Sequence, residues 1–322
     1  MDRNKIVEVF QEYTSHYNPS DPMIRLKIFH TYRVALFAEQ ITASAFMQLP
    51  ERLRQKLFQT FCVIPPETDE ALEPVLPWHK KDAGSKDDSR LVKPNESPAL
   101  PLTPAQSRQL SQTLMDFAYL LGIYHDIGRF EQVRVFGTFI DHQSIDHAEL
   151  SADLLFLEGL QKRFSDRSAL FSKRAAQIAE AAVRLHNKLI LPVWLDEETR
   201  FFCDILRDAD KVDIFRVMTE PPFEKSLNFV WSGKPARDLV MQCVTEHRCV
   251  PRKGLAGRTP FEEHISKCCM AFELVFPKSR QMALAQGFLP FLLSLPADHP
   301  EMNAQLDILR REVKEVLEKD DE

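Results

Sequence analysis

Apolar residues recur along most of the chain with the 3.6-residue spacing of amphipathic helices, and strand-like alternation is scarce. This spacing predicts helices over residues 22–48, 50–62, 104–126, 147–160, 171–187 and 197–217. Gly128 is expected to end the third of these, with a loop from Phe130 to Ile145. Further helices are expected over 225–322, the last of them from Met302 to Lys319. The sequence therefore predicts an all-α fold.

One segment breaks this pattern. Residues 65–104 are rich in proline and charge and lack helical periodicity, so they predict a poorly ordered or irregular insertion. Thr103 and Pro104 then form an N-cap and first-turn pair where the helical pattern resumes. The predicted organisation is one domain over 1–224, with the insertion at 63–105, followed by a helical extension over 225–322.

Composition narrows the classes of partner. The chain has 322 residues, a net charge of -6 and a pI of about 6.0, which disfavours a nucleic-acid backbone as the main partner. The sequence contains no run of about 18 apolar residues, so no membrane-spanning helix is predicted. No signal peptide is apparent. The six cysteines include no C-x-x-C pair and are expected to be reduced, which predicts a cytoplasmic location.

Several histidines and aspartates interrupt apolar helical stripes, where a charged group is costly to bury. They are His30, the pair His125-Asp126, His147, His186 and Asp210. Each one alone is best explained as a core residue with a satisfied hydrogen bond. Together, inward-facing groups from separate helices favour a metal site, because a cation neutralises and coordinates them.

Two of these positions have a neighbour of the same type. Asp208 competes with Asp210 as the last ligand, and His142 competes with His147. Asp210 is favoured because it lies four residues from apolar positions on each side. His147 is favoured because it opens a helix with an apolar face, whereas His142 falls in a polar segment.

The order of these residues resembles the HD-domain superfamily of metal-dependent phosphohydrolases, and among them the stand-alone bacterial hydrolases. The segments that carry the resemblance are KIFHTYRV at 27–34, GIYHDIGR at 122–129, DHAEL at 146–150, LHN at 185–187 and RDADK at 207–211. The resemblance implies an HD-domain helical bundle. It also implies one metal held by His30, His125, Asp126 and Asp210, with Asp126 bridging to a second metal held by His147 and His186.

The chain departs from the family at three points. About 95 residues separate His30 from His125, an interval lengthened by the insertion. Ser151 stands where many relatives carry glycine, which affects close helix packing. The Gly-Tyr-Pro signature of cyclic-dinucleotide phosphodiesterases and the synthetase region of alarmone enzymes are missing, so both subfamilies are disfavoured.

The resemblance implies hydrolysis of a phosphate ester or nucleotide by a metal-activated water, with His125 and Asp126 as catalytic residues. One or two divalent ions are expected: Mn, Fe, Co, Ni, Zn or Mg. The cations nearest the ligands in sequence are candidates for binding the phosphate of a small substrate, although each could equally pair with a nearby acid. These are Arg33, Arg129, Arg134 and Lys211.

Three other functions fit the same residues. The domain could bind a metal or nucleotide and signal through 225–322 without catalysis. It could be an oxygen-activating di-iron enzyme on the same scaffold. It could also be a helical interaction protein whose histidines are core groups. The terminal helix leaves a homo-oligomer open.

Overall fold

The computed structural model describes residues 2–63, 101–164, 172–221, 223, 229–251 and 257–319. Across these residues the chain is helical, and its only β pairing is an isolated bridge between Trp231 and Ala297. The predicted all-α class is confirmed. Most of the predicted insertion falls outside the described residues.

Among the described residues up to Val217, nine α-helices surround the predicted site. They are α1 (Arg3–Thr14), α2 (Pro22–Phe46), α3 (Glu51–Cys62), α4 (Pro104–Tyr124), α5 (Ile127–Phe136), α6 (His147–Ala152), α7 (Gln161–Phe164), α8 (Lys173–Leu185) and α9 (Glu197–Val217). Single turns of other helix types occur at Asp141–Gln143 and Asp153–Leu157.

The described part of the C-terminal region adds five α-helices. They are α10 (Asp238–Thr245), α11 (Pro260–Cys268), α12 (Pro277–Ala285), α13 (Phe288–Ser294) and α14 (Pro300–Leu317). A 3₁₀ segment, Cys269–Glu273, follows α11. No helix among the described residues combines the length and the apolar character needed to cross a membrane. All six cysteines are free thiols.

Side-chain caps explain where the main helices begin. Asp21 accepts a hydrogen bond from the Met23 amide at the start of α2, and Pro22 occupies the first helical position. Thr103 and Gln106 form a capping box at the start of α4. Asp146 caps α6 by accepting from backbone amides of its first turn. These caps place His30 and His147 on helices, as predicted.

The predicted loop from Phe130 to Ile145 is wrong in its first half. Helix α5 occupies Ile127–Phe136 and ends at Gly137, which adopts a left-handed φ of 64°. Gly128 does not end a helix; it lies in the first turn of α5. A Cβ at Gly128 would lie 2.7 Å from the Ser151 backbone nitrogen, so glycine permits α5 and α6 to pack closely. The predictions also missed α1.

The core continues through both predicted regions of the chain. Helix α2 packs against α4 and α9, and α8 packs against α6 and α9. One buried apolar cluster includes Val34, Phe117 and Leu206, and it extends to Leu306 in α14. A second apolar cluster packs α1 against α5. There the rings of Phe10 and Phe130 pack edge to face, with their centroids 5.9 Å apart.

Candidate metal centre

All six predicted metal ligands come together in one buried place, although they lie on five separate elements. Helix α2 carries one, the link between α4 and α5 carries two, and α6, the end of α8 and α9 carry one each. They form two groups whose ligand atoms lie within 4.8 Å of one another: His30, His125 and Asp210, and Asp126, His147 and His186.

Asp126 lies between the two groups. Its Oδ2 is 3.5 Å from His30 Nε2 and 3.3 Å from His125 Nε2. Its Oδ1 is 3.6 Å from His147 Nε2 and 3.8 Å from His186 Nε2. The carboxylate therefore faces both groups, one oxygen to each, which is the geometry of a bridging ligand.

Two of the imidazoles are oriented by carboxylates. His30 Nδ1 is 2.8 Å from Asp213 Oδ2, and His147 Nδ1 is 2.8 Å from Asp141 Oδ2. A carboxylate at Nδ1 favours the proton on that nitrogen, so the Nε2 lone pair is available to a metal. Asp141 and Asp213 were not predicted as site residues.

Backbone carbonyls orient the other two imidazoles in the same way. His125 Nδ1 lies 2.7 Å from the Gly122 oxygen, and His186 Nδ1 lies 2.7 Å from the Val183 oxygen. Each histidine thus reaches back to a carbonyl three residues earlier at its own helix end. All four Nε2 atoms consequently point inward.

The spacing of the ligand atoms fits a shared cation. His30 and His125 Nε2 atoms are 3.3 Å apart, and His147 and His186 Nε2 atoms are 3.0 Å apart. Ligands bound about 2.1 Å from one ion at angles near 90–110° are separated by about 3.0–3.4 Å. Asp126 Oδ1 is buried and accepts no hydrogen bond from the described residues. The residues present therefore fit a metal ion.

Burial and neighbouring charges set the protonation of the ligands. Burial lowers the pKa of His186 to about 3 and, helped by Arg129, lowers the pKa of His147. Burial opposes a charged Asp126, but Lys27 and His125 outweigh it and hold the pKa of Asp126 well below its usual range. The neutral imidazoles and ionised carboxylate are the forms that bind a metal.

His125 behaves differently. Burial lowers its pKa, but the charges of Asp126 and Asp210 outweigh that effect, so the net shift is upward. A proton on His125 and a cation would satisfy the same negative charge. Metal binding at this centre is therefore expected to release a proton.

The structure separates the two ambiguous pairs of candidates. Asp208 accepts hydrogen bonds from the backbone amides of Val275 and Phe276, away from the ligand groups, and burial raises its pKa to about 6. His142 is exposed in the short turn before α6. The favoured residues, Asp210 and His147, are the ones in the two ligand groups.

Of the four predicted phosphate-binding cations, Arg129 lies beside the ligands. Its Nε is 3.6 Å from Asp126 Oδ1, and its Nη1 donates to Asp141 at 2.9 Å. Within the described ranges, Arg33 reaches the centre through Asp213, to which its Nε donates at 2.5 Å. Arg129 lies in the first turn of α5.

The other two predicted cations are held elsewhere. Lys211 pairs with Glu273 at 3.0 Å. Arg134 is also on α5, eight residues beyond Asp126, or about 12 Å along the helix. It is exposed and pairs with Glu131 at 2.5 Å.

Lys27 is a site residue that the sequence reasoning missed. Its Nζ lies 2.5 Å from Asp126 Oδ2, and its side chain is 9% exposed. The available signal was its position three residues before His30, on the same side of α2. Asp213 could have been found by the same rule, since it follows Asp210 by three residues on α9.

Comparison with known proteins assigns no family to the chain: no family model, no curated protein and no solved structure matches it. The resemblance to the HD-domain superfamily therefore rests on the order of the motif residues.

Proposed function

We propose that this protein is a metal-dependent phosphohydrolase of the HD type, acting on a phosphate ester such as a nucleotide. One observation carries the proposal. Four anchored imidazoles and two carboxylates converge, with Asp126 between the two groups, and cationic side chains adjoin them. A buried set of this kind binds cations, and adjoining cations suit an anionic substrate.

The ligand residues have distinct tasks in this mechanism. Asp126 and Asp210 would supply the negative charge that retains divalent ions, and the four histidines would hold those ions through their Nε2 atoms. Bound ions would supply Lewis acidity and a water of lowered pKa. Asp126 and Asp210 would be the carboxylates available to take up the proton of that water.

The exposed fractions of the site side chains indicate which of them a substrate can reach. The His30 and His125 side chains are fully buried, whereas Asp210 is 13% exposed and Arg129 is 14% exposed. Asp210 and Arg129 are therefore the groups at the centre that an incoming phosphate would reach from solvent. Arg129 would orient the phosphate and offset the charge that develops on its oxygens.

The test begins with purification in Mn²⁺, elemental analysis, and a screen of phosphate esters and nucleotides for phosphate release. We expect stoichiometric metal and turnover in the wild type. His125→Ala and Asp126→Ala should lose metal and reduce turnover by at least about 100-fold. His142→Ala is the matched control, because His142 is exposed and outside the ligand groups.

Other outcomes would overturn the proposal in distinguishable ways. Metal without turnover across the screen indicates a binding or signalling module. Redox-active iron with oxygen consumption indicates an oxygen-activating enzyme. A wild-type protein without stoichiometric metal indicates an interaction protein whose histidines are core residues. Undiminished hydrolysis in both ligand variants would place the active site elsewhere.

A further inference from the structure

Lys27 holds an unusual position at the metal centre. Its ammonium donates to Asp126 Oδ2 at 2.5 Å, the same oxygen that faces His30 and His125. A metal in that group would use the same oxygen. Lys27 and a metal ion therefore compete for one carboxylate oxygen.

Lys27 and Arg129 flank Asp126 from two sides. Lys27 contacts Oδ2, and Arg129 Nε lies 3.6 Å from Oδ1 without a hydrogen-bond partner among the described residues. Both cations lie over the ring of Phe139, each 5.5 Å from its centroid. Both cations are therefore held by one aromatic ring next to the ligands.

These charges leave a metal-loaded centre short of negative charge. Three carboxylates face the ions and the two side-chain cations: Asp126, Asp141 and Asp210. Asp213, which anchors His30, is already paired with Arg33 and Arg216 and is left out of this balance. One divalent ion together with the two side-chain cations exceeds this negative charge by one, and two divalent ions exceed it by three. With two ions bound, the excess favours an anionic ligand with more than one charge.

We infer that Lys27, together with Arg129, binds the substrate phosphate and selects a phosphomonoester over a phosphodiester. The inference rests on the proposed function. A monoester presents three unesterified oxygens and a charge of about -1.5 to -2, which suits two side-chain cations beside the ions. A diester presents two such oxygens and a single charge, so it satisfies fewer of these donors.

The inference predicts opposite effects on two ligands when Lys27 is removed. Phosphate affinity falls, because one charged donor is lost. Metal affinity rises, because a competing cation leaves Asp126. A purely structural role for Lys27 predicts that both affinities fall together, since the ligand geometry would be disturbed.

The experiment compares Lys27→Met with wild type and with Lys56→Met. Met keeps the aliphatic stem, and Lys56 is a partly exposed lysine on α3 that pairs with Glu197. Calorimetry measures Mn²⁺ binding to the apoprotein, then inorganic phosphate binding to the Mn²⁺-loaded protein. We expect Lys27→Met to weaken phosphate binding about tenfold or more and to strengthen Mn²⁺ binding severalfold. Lys56→Met should change neither by more than about twofold.

Steady-state kinetics measure the selectivity between a phosphomonoester and a phosphodiester. The ratio of kcat/KM for p-nitrophenyl phosphate over bis(p-nitrophenyl) phosphate should exceed one in wild type and fall in Lys27→Met. Lys27→Arg should restore phosphate binding in part. A wild type that prefers the diester, an unchanged phosphate Kd in Lys27→Met, or weakened Mn²⁺ binding in that variant would each overturn the inference.

Failure of the inference and failure of the proposed function give different results. Phosphate and Mn²⁺ responses as expected, with no ester hydrolysed by wild type, would refute hydrolysis but leave Lys27 as an anion-binding residue. Hydrolysis that Lys27→Met leaves intact would refute only the role of Lys27. A wild-type protein that binds no Mn²⁺ would refute both.

Discussion

Gly122 allows α2 and α4 to approach closely where they present two ligands, His30 and His125. A Cβ at Gly122 would lie 2.4 Å from the Cα and 2.6 Å from the backbone nitrogen of Ala35. Ordinary contact begins at 3.4 Å, so Gly122→Ala requires the two backbones to separate by about 1 Å. The nearest atoms are backbone atoms, which no side-chain rotation can move.

Two opposing effects set the stability of Gly122→Ala: the steric overlap with α2 and the higher helix propensity of alanine. Overpacking of this kind costs about 1–3 kcal/mol, and replacing glycine by alanine within a helix returns about 1 kcal/mol. We expect a net loss of about 0–2 kcal/mol in the free energy of unfolding. The His30 and His125 Nε2 atoms, now 3.3 Å apart, would move out of range of a shared ion, and metal affinity should fall at least about tenfold.

Urea unfolding and Mn²⁺ calorimetry measure the two quantities. The double variant Gly122→Ala/Ala35→Gly sharpens the test, because it removes the Ala35 Cβ at 3.0 Å but leaves the closer backbone contacts. It should not rescue metal binding. The reasoning fails if Gly122→Ala raises stability by about 1 kcal/mol, as helix propensity alone predicts, and binds Mn²⁺ like wild type.

Two further predictions concern Asp141, which is partly buried, and Asp208, which is fully buried. Asp141→Asn removes the negative charge at His147 Nδ1 and should weaken Mn²⁺ binding about tenfold in a chelator competition. An unchanged Mn²⁺ affinity would show that Asp141 does not orient His147 for metal binding. The Asp208 pKa of about 6 exceeds the usual 3.8, so between these pH values the folded chain holds a proton that the unfolded chain has lost. This carboxyl's contribution to stability therefore falls as pH rises through that window. Wild-type stability relative to Asp208→Asn should drop by on the order of 2 kcal/mol from pH 4.5 to 6.5 in urea unfolding, and a pH-independent difference would contradict the burial argument.

Local sequence accounts for most of the helices and for the ligand set. The spacing of apolar residues around His30 and Asp210 shows that each faces inward, because a helix repeats its faces every 3.6 residues. Caps such as Asp146 are short-range signals of the same kind. The failure at α5 is also instructive. The sequence around Gly128 predicts the end of a helix, but in the structure Gly128 allows Ser151 of α6 to pack closely against α5.

The sequence by itself determined that the protein is helical and which histidines and aspartates interrupt its buried faces. Both follow from interactions within a few residues. Only the tertiary structure decided that Lys27 meets Asp126, 99 residues away, and that Asp213 anchors His30 across 183 residues. Such contacts depend on how α2, α4 and α9 pack, and a periodic pattern along one helix carries no information about which side chain of another helix will lie opposite.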